Sequence, residues 1–189
     1  MEKSRESARL HEFFLALTRR SFAELGVGDD AVVGYVAALM TQFTRADRLY
    51  AMRDAAGAID SVVYMRLAAC ERGRDARALE RTRALRKYVA DYALFMSGLF
   101  RTHVERRGAL GYYMQEGQRS YWAVSEVDLS LYRTGFLFFQ ELSKNFEFYS
   151  GALDYMRKAY FAPQRGGESP FATFLRQVQG WITEGLSDN

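Results

Sequence analysis

The residues best suited to chemistry are a carboxylate at the start of an apolar run and a polar aromatic segment that follows it. Asp91 opens the most apolar stretch of the chain, which ends at Phe100. Burial there would raise the pKa of its carboxyl group toward the range used in acid–base catalysis. The later segment joins hydroxyl-bearing aromatic rings to two charged side chains: Tyr112, Tyr113, Glu116 and Arg119.

These five residues have two interpretations. In the first they line a small-molecule pocket between helices, where Asp91 or Glu116 acts as acid or base and the tyrosines orient the ligand. In the second the aromatic segment contacts another subunit, because amphipathic side chains concentrate at interfaces. For Asp91 we favour a plainer role, an ion pair with Lys87 one helical turn earlier.

A basic segment between residues 72 and 87 is the strongest charge feature of the chain. Its candidate contacts for a polyanion are Arg74, Arg77, Arg81 and Lys87. Phosphate groups can be bound by such a patch without any sequence motif. The alternative is the solvated face of a helix laced with acids, which we favour because the net charge is only +3. Nucleic acid is therefore disfavoured as a partner.

Other reactive constellations are missing from the sequence. The single cysteine, Cys70, falls on the apolar face of a predicted helix, where a thiol is usually a small core residue. His11 and His103 lack the Glu-x-x-His or His-Glu-x-x-His spacing of metal sites. The sequence also lacks a phosphate-cradling glycine loop and a nucleophile elbow. We predict no metal and no cofactor. The lack of a reactive group of residues favours a protein that is not an enzyme.

The elements that would hold these residues are predicted from apolar side chains that recur at three- and four-residue steps. Asp29 and Asp30 are predicted to cap the second helix. Whether residues 75–107 form one helix or two is left open. The first half of the chain is predicted to contain a helix over 7–25, a helix starting near 30, one short helical turn within 46–58, a helix over 59–70 and the basic helix. The second half is predicted to contain an aromatic helix over 112–122, a long helix over about 129–161, a mobile loop over about 163–169 and a C-terminal helix from Ser169-Pro170.

The fold class that follows is all-α: a single-domain bundle over 1–189, with about six or seven helices around the long helix at about 129–161. The buried stripe predicted for that helix is Tyr132, Phe136, Phe139, Leu142, Phe146, Tyr149, Leu153, Met156 and Tyr160. More helix faces are apolar than one central helix needs. This surplus predicts contact with a second copy of the chain.

The charged N-terminus and the lack of an apolar run near 20 residues predict a cytoplasmic protein without a membrane span. Our leading hypothesis is a non-enzymatic interaction or regulatory protein that forms a homo-oligomer through its aromatic-rich half. The second is a small-molecule binder or enzyme using the five pocket candidates. The third is a polyanion-binding protein using the basic segment.

Overall fold

The computed structural model describes residues 2–44, 53–54, 57–58, 76–161 and 170–184. Within these ranges the chain is all-α, as predicted, with eight helices. They are α1 (Glu2–Glu24), α2 (Asp30–Phe43), α3 (Ala76–Leu99), α4 (Arg101–Arg106), α5 (Leu110–Ser130), α6 (Phe136–Lys144), α7 (Phe146–Tyr160) and α8 (Pro170–Glu184). The predicted helix over 59–70, Arg74 and the predicted loop over 163–169 lie outside the described residues.

A short antiparallel pair replaces part of the helical turn expected within 46–58. Strand β1 (Arg53–Asp54) pairs with β2 (Gly57–Ala58), with Arg53 opposite Ala58 and Asp54 opposite Gly57. The pair is only two residues long on each side, so it does not alter the helical class.

Local capping positions the second helix as predicted. The Asp29 carboxylate accepts hydrogen bonds from the amides of Ala31 and Val32, at 2.8 and 3.3 Å. These amides have no partner inside the helix, so an acidic cap stabilises this end. The apolar spacing of α2 predicts a stripe that also includes Tyr35, which is half-buried. The other five residues of the stripe are buried: Val32, Val36, Leu39, Met40 and Phe43.

The prediction of one long helix over about 129–161 is wrong. The chain leaves helical geometry after Ser130, resumes it in α6, and breaks again at Asn145 before α7. Six stripe positions are nonetheless buried: Phe139, Leu142, Phe146, Tyr149, Leu153 and Met156. Apolar spacing reports which face meets the core, and two successive helices can continue one spacing around a bend.

The central position belongs instead to α3, which packs against both α5 and α7. One glycine allows the close packing of α3 on α7, and a second allows that of α5 on α7. A Cβ atom at Gly98 of α3 would overlap the Leu153 side chain, and one at Gly117 of α5 would overlap the Phe146 ring. Helix α3 ends at Leu99 and α4 begins at Arg101, so the region over 75–107 contains two helices.

Aromatic rings join the terminal helices to this centre. Phe174 of α8 lies 6.3 Å from Phe14 of α1, 6.2 Å from Phe95 of α3 and 5.2 Å from Phe161, measured between ring centroids. Across the described residues, the search for a helix long and apolar enough to cross a membrane finds none.

Candidate functional site

Three buried carboxylates and their cationic partners lie where α3 packs against α5, and we call this group the polar seam. Asp91, Glu116 and Asp128 are 4 %, 2 % and 0 % exposed. Each is paired with a cation from α3: Lys87, Arg86 and Arg83 respectively. A buried carboxylate is stable only when it is paired and hydrogen-bonded, and the basic character of α3 meets that need.

Asp91 sits at the most densely bonded point of the seam. Its Oδ1 accepts hydrogen bonds from the hydroxyl groups of Tyr35 at 2.5 Å and Tyr121 at 2.8 Å. Its Oδ2 accepts one from Lys87 Nζ at 2.6 Å. The Lys87 ammonium group also lies 4.8 Å from the centre of the Tyr35 ring. The predicted pairing of Lys87 with Asp91 is confirmed.

The two tyrosines are held in their protonated state. Burial raises the pKa of the Tyr121 hydroxyl well above its usual value, and the negative charge of Asp91 raises it further. The same two causes raise the pKa of Tyr35. Both hydroxyls therefore stay hydrogen-bond donors at neutral pH, which is a stabilising role and not that of a general base.

Asp128 of α5 pairs with Arg83, the seam residue nearest the start of α3. Arg83 donates to it through two nitrogens, Nε to Oδ1 at 2.5 Å and Nη2 to Oδ2 at 2.9 Å. Arg133 approaches the same carboxylate at 3.7 Å and also pairs with Glu80. This two-pronged geometry is the strongest form of an arginine–carboxylate contact, so Asp128 ties α3, α5 and the segment after α5 together.

The other predicted pocket residues differ in burial and do not share one cavity. Glu116 joins the seam through Arg86 Nη1 and Ser120 Oγ, both at 3.4 Å. Tyr113 is buried with its ring 6.3 Å from that of Tyr92, whereas Tyr112 is half-buried and Arg119 is exposed. Ligand binding by this set stays a prediction.

The residues of the predicted basic patch do not share one exposed surface. Arg77 and Arg81 are exposed on the first turns of α3, but Lys87 turns inward to Asp91. Arg83 and Arg86 are likewise paired with buried carboxylates. Three basic residues of this segment therefore balance charge inside the protein. Polyanion binding also stays a prediction.

A cavity of about 670 Å³ opens between α4, α5 and α7, and we call it the groove. None of the five pocket candidates lines it. Its walls include Leu110, Gly111, Met114, Gln115, Gln118 and Phe148. The Phe148 side chain is 49 % exposed, and nothing lies within 4 Å of the position that a Cβ atom would take at Gly111. The groove is therefore open, and its lining is partly apolar, with the charged residues Arg101 and Glu147 also at its border.

Helix α5 carries an exposed stripe on the side away from the seam, which we call the outer face. Its members recur at three- and four-residue steps: Gly111, Gln115, Arg119, Trp122, Glu126 and Leu129. Trp122 and Leu129 are 41 % and 56 % exposed, which is high for side chains of this size. The Trp122 ring nitrogen donates a hydrogen bond to Glu126 at 3.2 Å.

The outer face ends at Tyr132, whose backbone is unusual. Its φ is 55°, and the amides of Tyr132 and Arg133 bond to the carbonyls of Leu129 and Asp128 at 3.1 and 2.8 Å. This hydrogen-bond pattern is a Schellman motif, which normally places glycine at the left-handed position. Helices α1 and α4 end in the same motif with Gly26 and Gly108 there.

Sequence reasoning missed this feature. The buried stripe predicted for the long helix includes Tyr132, but this residue is 97 % exposed, so the prediction is wrong there. Leu137, in the first turn of α6, is also 63 % exposed. A glycine is the usual sequence signal for such a helix end, and none stands at this position.

Among the described residues, no group of three or more His, Cys, Asp or Glu side chains is arranged to hold a metal ion. Comparison with protein-family models, with curated proteins and with solved structures finds no match to this chain.

Proposed function

We propose that this is a non-enzymatic interaction protein that works as a homo-oligomer, with the outer face of α5 and Tyr132 as its binding surface. The observation that carries the proposal is Tyr132 itself. Its ring is almost fully exposed while its backbone takes a conformation that glycine would adopt without strain.

The backbone conformation of Tyr132 has a conformational cost that contacts of its side chain do not offset within the described part of the chain. A left-handed conformation costs a residue other than glycine roughly 1–2 kcal/mol. A ring that is 97 % exposed recovers little of this by packing. Backbone strain of this kind is concentrated at functional sites. A partner that buries the ring would supply the missing compensation.

The neighbouring side chains fit the same role. Trp122 and Leu129 continue the exposed apolar surface along α5, and Leu137 adds to it from α6. Tyr and Trp are enriched among the residues that contribute most to binding energy in protein interfaces. These residues lie in the aromatic-rich half from which self-association is expected.

The polar seam supports a role other than catalysis. Asp91 has three donors, and Asp128 is held by both prongs of Arg83. A catalytic carboxylate needs access to substrate and a pKa matched to its task. Carboxylates enclosed by cations and hydroxyl groups are instead suited to fixing the register of α3 against α5.

The test is the variant Tyr132→Gly. Because glycine relieves the left-handed strain, we expect the variant to be more stable by about 1 kcal/mol. Because the ring is lost, we expect self-association to be lost as well. Chemical denaturation would measure the stability, and sedimentation velocity over a range of protein concentrations would measure the assembly.

The matched control is Gly26→Tyr, which places the same ring at the equivalent position of α1. Nothing lies within 4 Å of a Cβ atom there, so only backbone strain should act. We expect this control to lose about 1 kcal/mol of stability and to assemble like the parent protein. Unchanged assembly of Tyr132→Gly would contradict the proposal.

A further inference from the structure

We infer that the partner of this surface is a second copy of the chain, packed with its α5 antiparallel to the first about a two-fold axis at Trp122, and with Tyr132 of each copy inserted into the groove of the other. This inference rests on the proposed function and specifies its geometry. Three independent features of α5 support it: the spacing along the helix, the order of charges and the shape of the groove.

The spacing places a protruding ring and a cavity at similar distances from one point. Tyr132 follows Trp122 by ten residues, and the groove residues of α5 run from Leu110 to Gln118. At about 1.5 Å per residue, Tyr132 lies about 15 Å and the middle of these residues about 12 Å from Trp122, in opposite directions. A two-fold axis near Trp122 therefore brings each ring to the level of the other copy's groove. Contacts that exchange in this way define an isologous dimer.

The charges on the outer face select the antiparallel arrangement. Arg119 precedes Trp122 by three residues and Glu126 follows it by four, and both side chains are exposed. In an antiparallel pair Arg119 of one copy faces Glu126 of the second copy, and this happens twice. A parallel pair would place like charges opposite each other, which opposes association.

The groove is suited to an aromatic ring with a polar tip. Leu110, Met114 and Phe148 provide apolar contact, and the missing side chain of Gly111 leaves space above the helix. Gln115 and Gln118 border the same cavity, and their amide groups can bond to a tyrosine hydroxyl. A tyrosine that is exposed in one copy would thus be buried by the other.

Charge reversal followed by mixing tests the arrangement. Arg119→Glu alone, or Glu126→Arg alone, places like charges opposite each other at both contacts. We expect each variant to dimerise roughly tenfold or more weakly than the parent. An equimolar mixture restores opposite charges at both contacts, so we expect a heterodimer with nearly the parent's affinity. Sedimentation velocity with one variant fluorescently labelled would measure it, and circular dichroism would verify the folds.

The groove is tested by filling it. Gly111→Trp should block insertion of Tyr132 and prevent dimerisation without unfolding the chain, since open space surrounds that position. The matched control is Gly34→Trp on α2, where the space is also open, and it should dimerise normally.

The outcomes separate this inference from the function on which it rests. If the parent assembles and Tyr132→Gly does not, but the mixture of charge variants fails to recover assembly, the antiparallel dimer is overturned and the interaction surface stands. The same conclusion follows if Gly111→Trp assembles like the parent. A parent protein that stays monomeric at every concentration overturns both the dimer and the proposed homo-oligomer.

Discussion

The two sides of helix α5 differ in whether their polar and aromatic side chains have partners within the protein. On the inner side Glu116 and Asp128 are buried, and each is matched by a cation from α3. On the outer side Trp122 and Leu129 are exposed, and the helix ends in a tyrosine where glycine would fit better. The inner groups serve the fold because the chain itself supplies their partners. The outer groups are consistent with recognition because little of the chain covers them.

The largest expected effect comes from breaking the inner side at Asp128. Asp128→Ala would leave the partly buried guanidinium of Arg83 without its carboxylate, and removing one partner of a buried pair costs about 3–5 kcal/mol. Guanidinium denaturation followed by circular dichroism would measure this loss. Glu80→Gln is the control, because it removes a half-exposed partner of Arg133 and should cost less than about 1 kcal/mol. Similar losses in the two variants would show that burial does not distinguish the pairs.

A smaller loss is expected at the contact of α5 with α7. Gly117→Ala would drive a Cβ atom into the Phe146 ring, and such overpacking typically costs about 1–3 kcal/mol. The control is Gly151→Ala in α7, where nothing lies within 4 Å of the new atom. That change should raise stability by about 0.5–1 kcal/mol, because alanine is the better helix former. Thermal denaturation of both variants would reveal the opposite signs, and a stable Gly117→Ala protein would contradict the close packing.

The tyrosines around Asp91 predict a gradual loss of stability at high pH. Burial and the charge of Asp91 raise the pKa of Tyr35 and Tyr121 in the folded protein. Below pH 10 both the folded and the unfolded chain keep these protons. Above it the unfolded chain releases them first, so the free energy of unfolding should fall by about 1.4 kcal/mol per pH unit for each tyrosine. Tyr149, whose pKa burial and Glu141 raise to about 12, adds to this loss between pH 10 and 12.

The double variant Tyr35→Phe/Tyr121→Phe isolates this contribution. It should be less stable than the parent at pH 8, because Asp91 loses two hydrogen bonds, and its stability should fall less steeply above pH 10. Urea denaturation at a series of pH values would provide both slopes. Equal slopes in the two proteins would mean that these hydroxyls are not the source of the pH dependence.

Much of the secondary structure could be predicted, since it depends on neighbours along the chain. The Asp29 cap, the stripe of α2 and the start of α8 at Pro170 follow from local hydrogen bonding and apolar spacing. The pairing of Lys87 with Asp91 was also local, because it joins residues one turn apart. The prediction of one long helix failed because it also used only local spacing, and spacing alone carries no information about a bend between two helices.

The candidate site depended on contacts that no local pattern records. Arg83 meets Asp128 across 45 positions of sequence, and Tyr35 meets Asp91 across 56. In the sequence, Arg83 is one of several basic residues between 72 and 87, and Tyr35 is one of the largely apolar residues of α2. Their polar partners were visible only once α3, α2 and α5 were packed together.

By itself the sequence determined that the chain is all-α, where several helices begin, and which faces are apolar, because these properties arise from side-chain spacing and from backbone groups a few residues apart. Only the tertiary structure decided that α3 is the central helix, that Arg83, Arg86 and Lys87 of the basic segment pair with buried carboxylates, and that Tyr132 is exposed. Each of these depends on which helix lies beside which. Burial and charge compensation are properties of the packed chain, and they assigned the inner side of α5 to stability and its outer side to the proposed recognition.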